Sequence, residues 1–486
     1  MDLSGEYPPA TDGAADRLPL AVDLDGTLTT SDTLHEGFLA FLKGSPHELG
    51  GLWGELRSGK AAFKRAVASR TEFDAALLPL NPEFLAWLRA EKRSGRRIAL
   101  FTAADQSIAD AVGAHLGLFS DVHGSQGDVN LSGTRKLAAI RAILGDRFAY
   151  AGDAPVDKPL FDAAEQVVLV GNVARLRPLL PAGKVIEKSF PVPPAGPKTW
   201  VHALRIHHWA KNALVFVAPL LGFQSAGLGT AVSAVVLFLA MGLLASATYI
   251  INDLLDLTAD RNHPRKRFRP FAAGKIPPRD GAFAAVGLML LAFALALLLP
   301  LAAAASLLAY AVVTLLYSFA LKRQPIVDVF VLAGLFTLRV LAGSMLMPHP
   351  ASPWLLTFSM LFFLGLAMVK RHAELERVVR AGGEAVSSRG YTARDLPLLL
   401  AAGVASSFSA IVIFTIYLIN EQYPSDLYRH PTMLWAMMPI ILIWVLRVWH
   451  LTVHGRMNED PVVFALRDRF SIGLGVAALI ALWLAW

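Results

Sequence analysis

The sequence predicts two folds in tandem, an α/β (Rossmannoid) soluble domain with a helical cap and an all-α polytopic membrane domain of nine spans. Three observations carry that reading. Residues 1–200 read as soluble α/β sequence, whereas 212–486 carries repeated apolar runs long enough to cross a bilayer. Hydrophobic residues make up 55% of the 486 and the mean hydropathy is +0.48, high for a soluble protein. Lysine and arginine in the apolar half are concentrated in alternate loops. The expected order is a disordered tail over 1–17, the α/β domain over 18–189 with a cap near 32–90, a Pro-rich linker over 190–199 and the membrane domain over 200–486.

Spans are expected near 212–227, 230–251, 281–299, 301–319, 326–346, 353–369, 396–419, 432–452 and 470–486. Loops 198–211, 253–280, 321–325, 370–395 and 453–469 hold 21 Lys/Arg between them, while the opposite set holds only Arg429. That bias predicts an inner-membrane protein whose N-terminal domain and charged loops face the cytoplasm and whose C-terminus lies outside. The net charge of +7 is read as this topology and not as a nucleic-acid surface, because the cations have no interleaved aromatic platform. With no cysteine, disulfides and thiolate-bound metal are excluded. The first 20 residues lack an apolar core, so no secretory signal is expected.

In the soluble half, the apolar run Leu18–Val22 ends in Asp23-Leu24-Asp25-Gly26-Thr27-Leu28-Thr29. Two carboxylates then sit at a strand's C-terminal end, where open α/β sheets bind ligands. A second run, Ile98–Phe101, ends in Thr102, and a third, Phe148–Ala151, leads to Gly152-Asp153 and Asp157. Lys136 opens a helix between them. Acidic loop caps without chemistry are the plain alternative. This ordered set resembles the HAD phosphohydrolase superfamily over about 18–185. The resemblance implies that Asp23 is a nucleophile forming an aspartyl-phosphate and that Asp25 is the general acid/base. It further implies that Thr102 and Lys136 hold phosphoryl oxygens, and that Mg²⁺ is held by Asp23, Asp25, Asp153 and Asp157. A carboxylate attacks a dianionic phosphate only where a divalent ion and a lysine offset the repulsion. Lys60, Lys64 and Arg65 on the cap are read as a solvated helix face. A regulatory, non-catalytic domain remains a second reading.

In the membrane half, the second span ends in Asn252-Asp253-Leu254-Leu255-Asp256-Leu257-Thr258-Ala259-Asp260. On a continuous helix the carboxylates of Asp253, Asp256 and Asp260 would share one face. They would repel unless cations sat between them, which suits Mg²⁺ bridged to a diphosphate. Arg265, Lys266, Arg267 and Arg269 follow and offer contacts to phosphate oxygens. Asp328 and Arg339 lie within span five, where ionisable groups usually line a cavity; a mutual ion pair, or one between Lys322 and Asp328, is the alternative. His207 and His208 are assigned no chemistry.

NDxxDxxxD resembles the first signature of UbiA-type intramembrane transferases over about 200–486, together with Arg205–Asn212 and Tyr317–Arg323. Many members carry a second Asp-rich motif after span six, and this chain departs from them with Lys370-Arg371-His372-Ala373-Glu374. Such positive charge suits two phosphorylated substrates. The sequence is similar to the decaprenyl-phosphate phosphoribosyltransferase subfamily through NDxxDxxxDRxHPxKRxRPxAxG (252–274), LKxxPxxDVFVLAGxxxLRVxAG (321–343) and DPVVFALRDR (460–469). That resemblance implies transfer of 5-phosphoribosyl from phosphoribosyl pyrophosphate to a polyprenyl phosphate such as decaprenyl phosphate. Pyrophosphate would leave on Mg²⁺, and the product would serve cell-envelope glycans. Lys211, Asn252, Tyr317, Lys322, Asp328, Arg339, Lys370 and Arg371 would join the basic run in binding substrate. A fused phosphatase would then remove the 5-phosphate. Prenylation of an aromatic acceptor from a prenyl diphosphate is the alternative activity.

Overall fold

A computed structural model describes residues 17–222, 227–349, 351–386, 389–424, 428–457 and 460–486. The expected disordered tail lies, apart from Arg17, outside these residues. The chain divides into two compact units, one running to Leu204 and including Tyr249–Ala285, the other comprising Arg205–Thr248 and Val286–Trp486.

The first unit is built on six parallel strands: β1 Leu20–Val22, β2 Ile98–Asp105, β3 Asp121–Ser125, β4 Ala149–Gly152, β5 Gln166–Gly171 and β6 Val185–Pro191. Their order is β3-β2-β1-β4-β5-β6, with the reversal of winding between β1 and β4. Both faces are covered, which is why the strands read as apolar runs and not as alternating sequence. Leu20, Val22, Leu100 and Val168 pack into one core, while Ala21, Phe101, Tyr150 and Leu169 pack into the other. Helices α1 Thr33–Gly44, α2 Leu49–Arg57, α3 Lys60–Ser69 and α4 Pro82–Arg93 occupy the stretch between β1 and β2. Asp32 caps α1 by accepting from His35 N, and Asn81 caps α4 from Phe84 N with Pro82 at its first position. Then come α5 Gln106–Leu116, α6 Thr134–Leu144, α7 Lys158–Ala163, α8 Val173–Leu176 and α9 Pro197–Leu204. Phe190 and Pro191, expected in the linker, belong to strand β6 instead, with Phe190 packed on Phe84 and Trp87.

The remaining helices are α10 Val217–Leu221, α11 Leu228–Leu255, α12 Leu257–Arg261, α13 Pro278–Ala296, α14 Leu301–Phe319, α15 Val327–Ser344, α16 Pro353–Arg380, α17 Leu396–Tyr417, α18 Met437–Val453, α19 Pro461–Arg467 and α20 Arg469–Ala485. Among the described residues, seven helices are long and apolar enough to cross a membrane. The bent pair α19 and α20, meeting at 81°, makes an eighth. The expected first span, 212–227, differs most. Its described part is a 3₁₀ helix, Ile206–Phe216, followed by the short α10. Pro219, which lacks a backbone donor, falls within that short helix. Leu297, Leu301 and Trp483 are more than two-thirds exposed, as side chains facing lipid would be.

Candidate functional sites

In the first unit, β1 and β4 deliver their C-terminal residues side by side at the switch point. Asp23 follows β1 and accepts from Leu24 N at 2.8 Å. Lys136, from the first turns of α6 and almost fully buried, sits 2.8 Å from Asp23 Oδ2 and 4.0 Å from Asp157. Asp153 follows β4 and accepts from Thr27 Oγ1 at 3.0 Å. Gly26, at φ +74°, makes this possible, since a Cβ there would lie 2.0 Å from Asp153 Oδ2.

Asp23, Asp153 and Asp157 each bring a carboxylate oxygen within 4.8 Å of the others. Among the described residues no donor meets bonding geometry at the buried Asp157 Oδ2. Burial and the charge of Asp23 push Asp153 up to about 8 and Asp157 up to about 6. A three-carboxylate cluster with a buried oxygen lacking a donor fits a divalent cation, which would remove the repulsion that raises these groups.

Asp25 departs from the expected metal set. Its carboxylate accepts from Thr33 N at 2.8 Å and Thr33 Oγ1 at 3.3 Å, which turns it to the start of α1 and out of the cluster. Burial, then the nearby Asp32, pushes it up to about 7. Such a value suits proton transfer near neutrality. Thr102 lies fully buried on β2, its hydroxyl accepting from Ala104 N at 3.0 Å. Lys64 is not the solvated residue expected. It reaches Ala103 O at 2.5 Å and Asn130 at 2.9 Å and lines the cavity over Asp23, and burial lowers its ammonium from the ordinary value. Helical spacing on the cap did not reveal this, because the pattern shows which face a lysine is on but not what lies opposite.

The aspartate ladder also belongs to the first unit, and it is not one helical face. Helix α11 stops at Leu255, Asp256 takes a non-helical conformation (φ −100°, ψ 14°), and α12 starts at Leu257. Like charges one turn apart disfavour a continuous helix, and these separate onto different cations. Asp253 and Asp260, both buried, meet the same nitrogen of Arg269 at 3.1 and 2.6 Å. Asp256 is held by Lys43 at 2.6 Å. Arg269 thus bridges Asp253 and Asp260, while Asp256 pairs with Lys43. Arg265, Lys266 and Arg267 are exposed, with Arg267 over Phe268, and Asn252 is half-buried on α11.

In the second unit the cations expected to bind substrate fall into three groups, with Lys211, Arg339 and Arg371 buried and Lys370 half-buried. Lys211 and Lys370 converge on one oxygen of Asp460 at 2.8 and 3.0 Å. Asp460 opens the DPVVFALRDR motif, so its signal lies in the sequence. Arg339 is held by Asn212, Tyr310 and the Leu335 carbonyl. Asp328, fully buried on the same helix, pairs with Arg371 and accepts from Tyr391. These partners of Asp328 come from α16 and the strand Tyr391–Thr392, while Arg339 on the same helix has its own partners in Asn212, Tyr310 and Leu335. Arg371 also reaches Glu374 and Tyr317, and Tyr317 receives Arg389. Lys322 is half-buried in a 3₁₀ turn, Leu321–Arg323.

Residues 213–474 match the UbiA prenyltransferase family. The chain is 41% identical over 471 residues to the uncharacterized protein y4nM of Sinorhizobium fredii, covering 96% of this chain and 90% of that one. It is 32% identical over 296 residues to decaprenyl-phosphate phosphoribosyltransferase of Mycobacterium tuberculosis, covering 59% and 91%. It is 30% identical over 277 residues to the nodulation protein NoeC of Azorhizobium caulinodans, covering 56% and 89%. With a family match across more than half of its length and seven apolar helices to carry it, the chain is an integral membrane transferase that belongs to the UbiA prenyltransferase family.

Proposed function

We propose that the protein transfers 5-phosphoribosyl from phosphoribosyl pyrophosphate to a polyprenyl phosphate, and that its N-terminal domain is a HAD-type phosphatase that removes the 5-phosphate. The reading of the transfer is supported by the name of the Mycobacterium tuberculosis relative and by the cations Lys211 and Lys370 gathered in the second unit, which suit two phosphorylated substrates. Asp253 and Asp260 would hold Mg²⁺, which when bound neutralises the charge of a departing pyrophosphate. Arg269, already between the two carboxylates, offsets their mutual repulsion. In this reading the active sites lie on the cytoplasmic side.

The phosphatase reading rests on one observation, the Asp23–Lys136 pair at 2.8 Å beside the Asp153 and Asp157 carboxylates. Asp23, with Asp153 and Asp157, would hold Mg²⁺, which screens the phosphate from these acids. A carboxylate oxygen of Asp23 attacks phosphorus and displaces the sugar oxygen, and Lys136 offsets the negative charge gathered there. Asp25, protonated in part near neutrality, gives its proton to the departing sugar hydroxyl. It then takes one from the water that hydrolyses the aspartyl-phosphate.

The test is mass spectrometry of the lipid formed from labelled phosphoribosyl pyrophosphate and polyprenyl phosphate. Wild type should yield polyprenyl-phosphoryl ribose, and Asp23→Asn should stop at the 5-phosphorylated lipid. Identical lipids from both proteins would refute the phosphatase half. Undiminished transfer by Asp253→Ala would refute the transferase half.

A further inference from the structure

The cavity over Asp23, about 840 Å³, is lined both by the N-terminal domain and by the loop that follows the aspartate ladder. Asp23, Lys64, Asp153 and Arg175 line it from the first, and Lys275 and Arg279 from the second. That volume exceeds what a phosphate needs and matches a drug-sized ligand.

That loop is held in place by specific contacts. Helix α1 carries Glu36 and Lys43, two turns apart on one face. Lys43 binds Asp256 at 2.6 Å, and Glu36 takes both nitrogens of Arg261 at 2.7 and 2.6 Å. Gly274, at φ +66°, lets the loop backbone press on Thr30 and Pro79, where a Cβ would lie 2.2 Å from Thr30 Oγ1. Those contacts occupy Arg261 and leave Lys275 and Arg279 exposed toward the cavity. Arg279 lies over the Phe283 ring at 5.5 Å, in the first turn of α13, one of the helices long enough to cross a membrane.

We infer that this cavity takes a bis-phosphorylated, membrane-tethered sugar, its monoester at Asp23 and Lys136 and its second phosphate, the diester link to the lipid, at Lys275 and Arg279. The inference rests on the phosphatase reading above and assigns its substrate class. Arg279 favours a lipid-linked substrate over a soluble one because it stands where α13 begins. A diester phosphate at that depth would keep its hydrocarbon tail in the bilayer while the sugar reaches the carboxylate cluster.

The experiment uses full-length protein in lipid nanodiscs. Phosphate release is measured from the lipid-linked 5-phosphoribosyl phosphate, from ribose 5-phosphate and from phosphoribosyl pyrophosphate. Wild type is compared with the Lys275→Ala/Arg279→Ala variant. Wild type should prefer the lipid to ribose 5-phosphate. The variant should lose about tenfold of that preference through KM with kcat retained, the scale of a pair of charge-assisted contacts at exposed cations. The charge-conserving Lys275→Arg/Arg279→Lys variant should restore it. An unchanged preference in the alanine variant would overturn the subsite while leaving the phosphatase reading intact. A loss confined to phosphoribosyl pyrophosphate would overturn the lipid assignment. Should Asp23→Asn release phosphate from all three at the wild-type rate, the phosphatase reading itself fails, and this inference with it.

Discussion

The Arg269 guanidinium stands 2.6 Å from the Asp260 carboxylate, and the same nitrogen is 3.1 Å from Asp253. Both acids are almost fully buried, so the arginine is what makes their common charge tolerable. Arg269→Gln would leave two buried carboxylates facing each other. Breaking a buried pair from one side costs about 3–5 kcal/mol, less here because Arg269 is a quarter exposed. The thermal midpoint of the variant in EDTA should fall several degrees below wild type. Mg²⁺ should raise the variant's midpoint more than wild type's, since it fills the same position. Equal Mg²⁺ responses in the two proteins would show that the acids are not a cation site.

Asp153 at about 8, Asp25 at about 7 and Asp157 at about 6 all stand above the ordinary carboxylate value of 3.8. Groups raised in the folded state favour folding fully below the unfolded value, and that contribution is lost as pH climbs through the folded values. The metal-free protein should therefore lose stability steadily between about pH 4 and pH 8. Bound Mg²⁺ should flatten this slope by neutralising the cluster. Thermal scans in EDTA across that range, repeated for Asp157→Asn, check it, and the variant should show the shallower slope.

Much of the first unit was legible in the sequence. Strand-forming runs ending in Asp23, Thr102 and Asp153 place functional groups at a sheet edge whatever the helices do, because parallel strands share one C-terminal edge. Lys43, Glu36 and Lys64 were not legible. Their partners lie at least 39 residues away, and a helical pattern does not say what a face meets. The ladder was legible as charge but not as geometry: spacing alone assumes an unbroken helix, and like charges are a reason for one to break. The 3₁₀ stretch Ile206–Phe216 was not legible either, since apolar composition measures what lipid accepts but not which helix type the backbone adopts.

Asp32 caps α1 and also ranks second, after burial, among the causes that raise Asp25. Asparagine caps a helix about as well as aspartate does, so Asp32→Asn removes the charge and keeps the helix start. The pKa of Asp25 should fall, and the limb of the phosphatase pH–rate profile that reports it should move to lower pH. A limb fixed in place would mean that Asp25 is not the group titrating in that profile.

Asp328 and Arg371 make the most deeply buried ion pair described in the second unit, with side chains 0% and 2% exposed. Tyr391 donates to the other oxygen of Asp328 at 2.5 Å and accepts from Ile326 N at 2.8 Å. Ile326 is β-branched yet sits at φ +68°, a conformation that such residues hold only when neighbours fix it. Arg371→Met would leave Asp328 charged with only the tyrosine hydroxyl of these two partners, at a cost of about 3–5 kcal/mol. Adding Asp328→Asn removes the stranded charge. The double variant should then be more stable than Arg371→Met alone, an interaction energy beyond the about 0.3–0.5 kcal/mol expected of independent sites. Denaturation of the two single variants, the double and wild type in the same detergent closes the cycle. Simple additivity would mean that the pair is not what anchors the strand Tyr391–Thr392 to the start of α15.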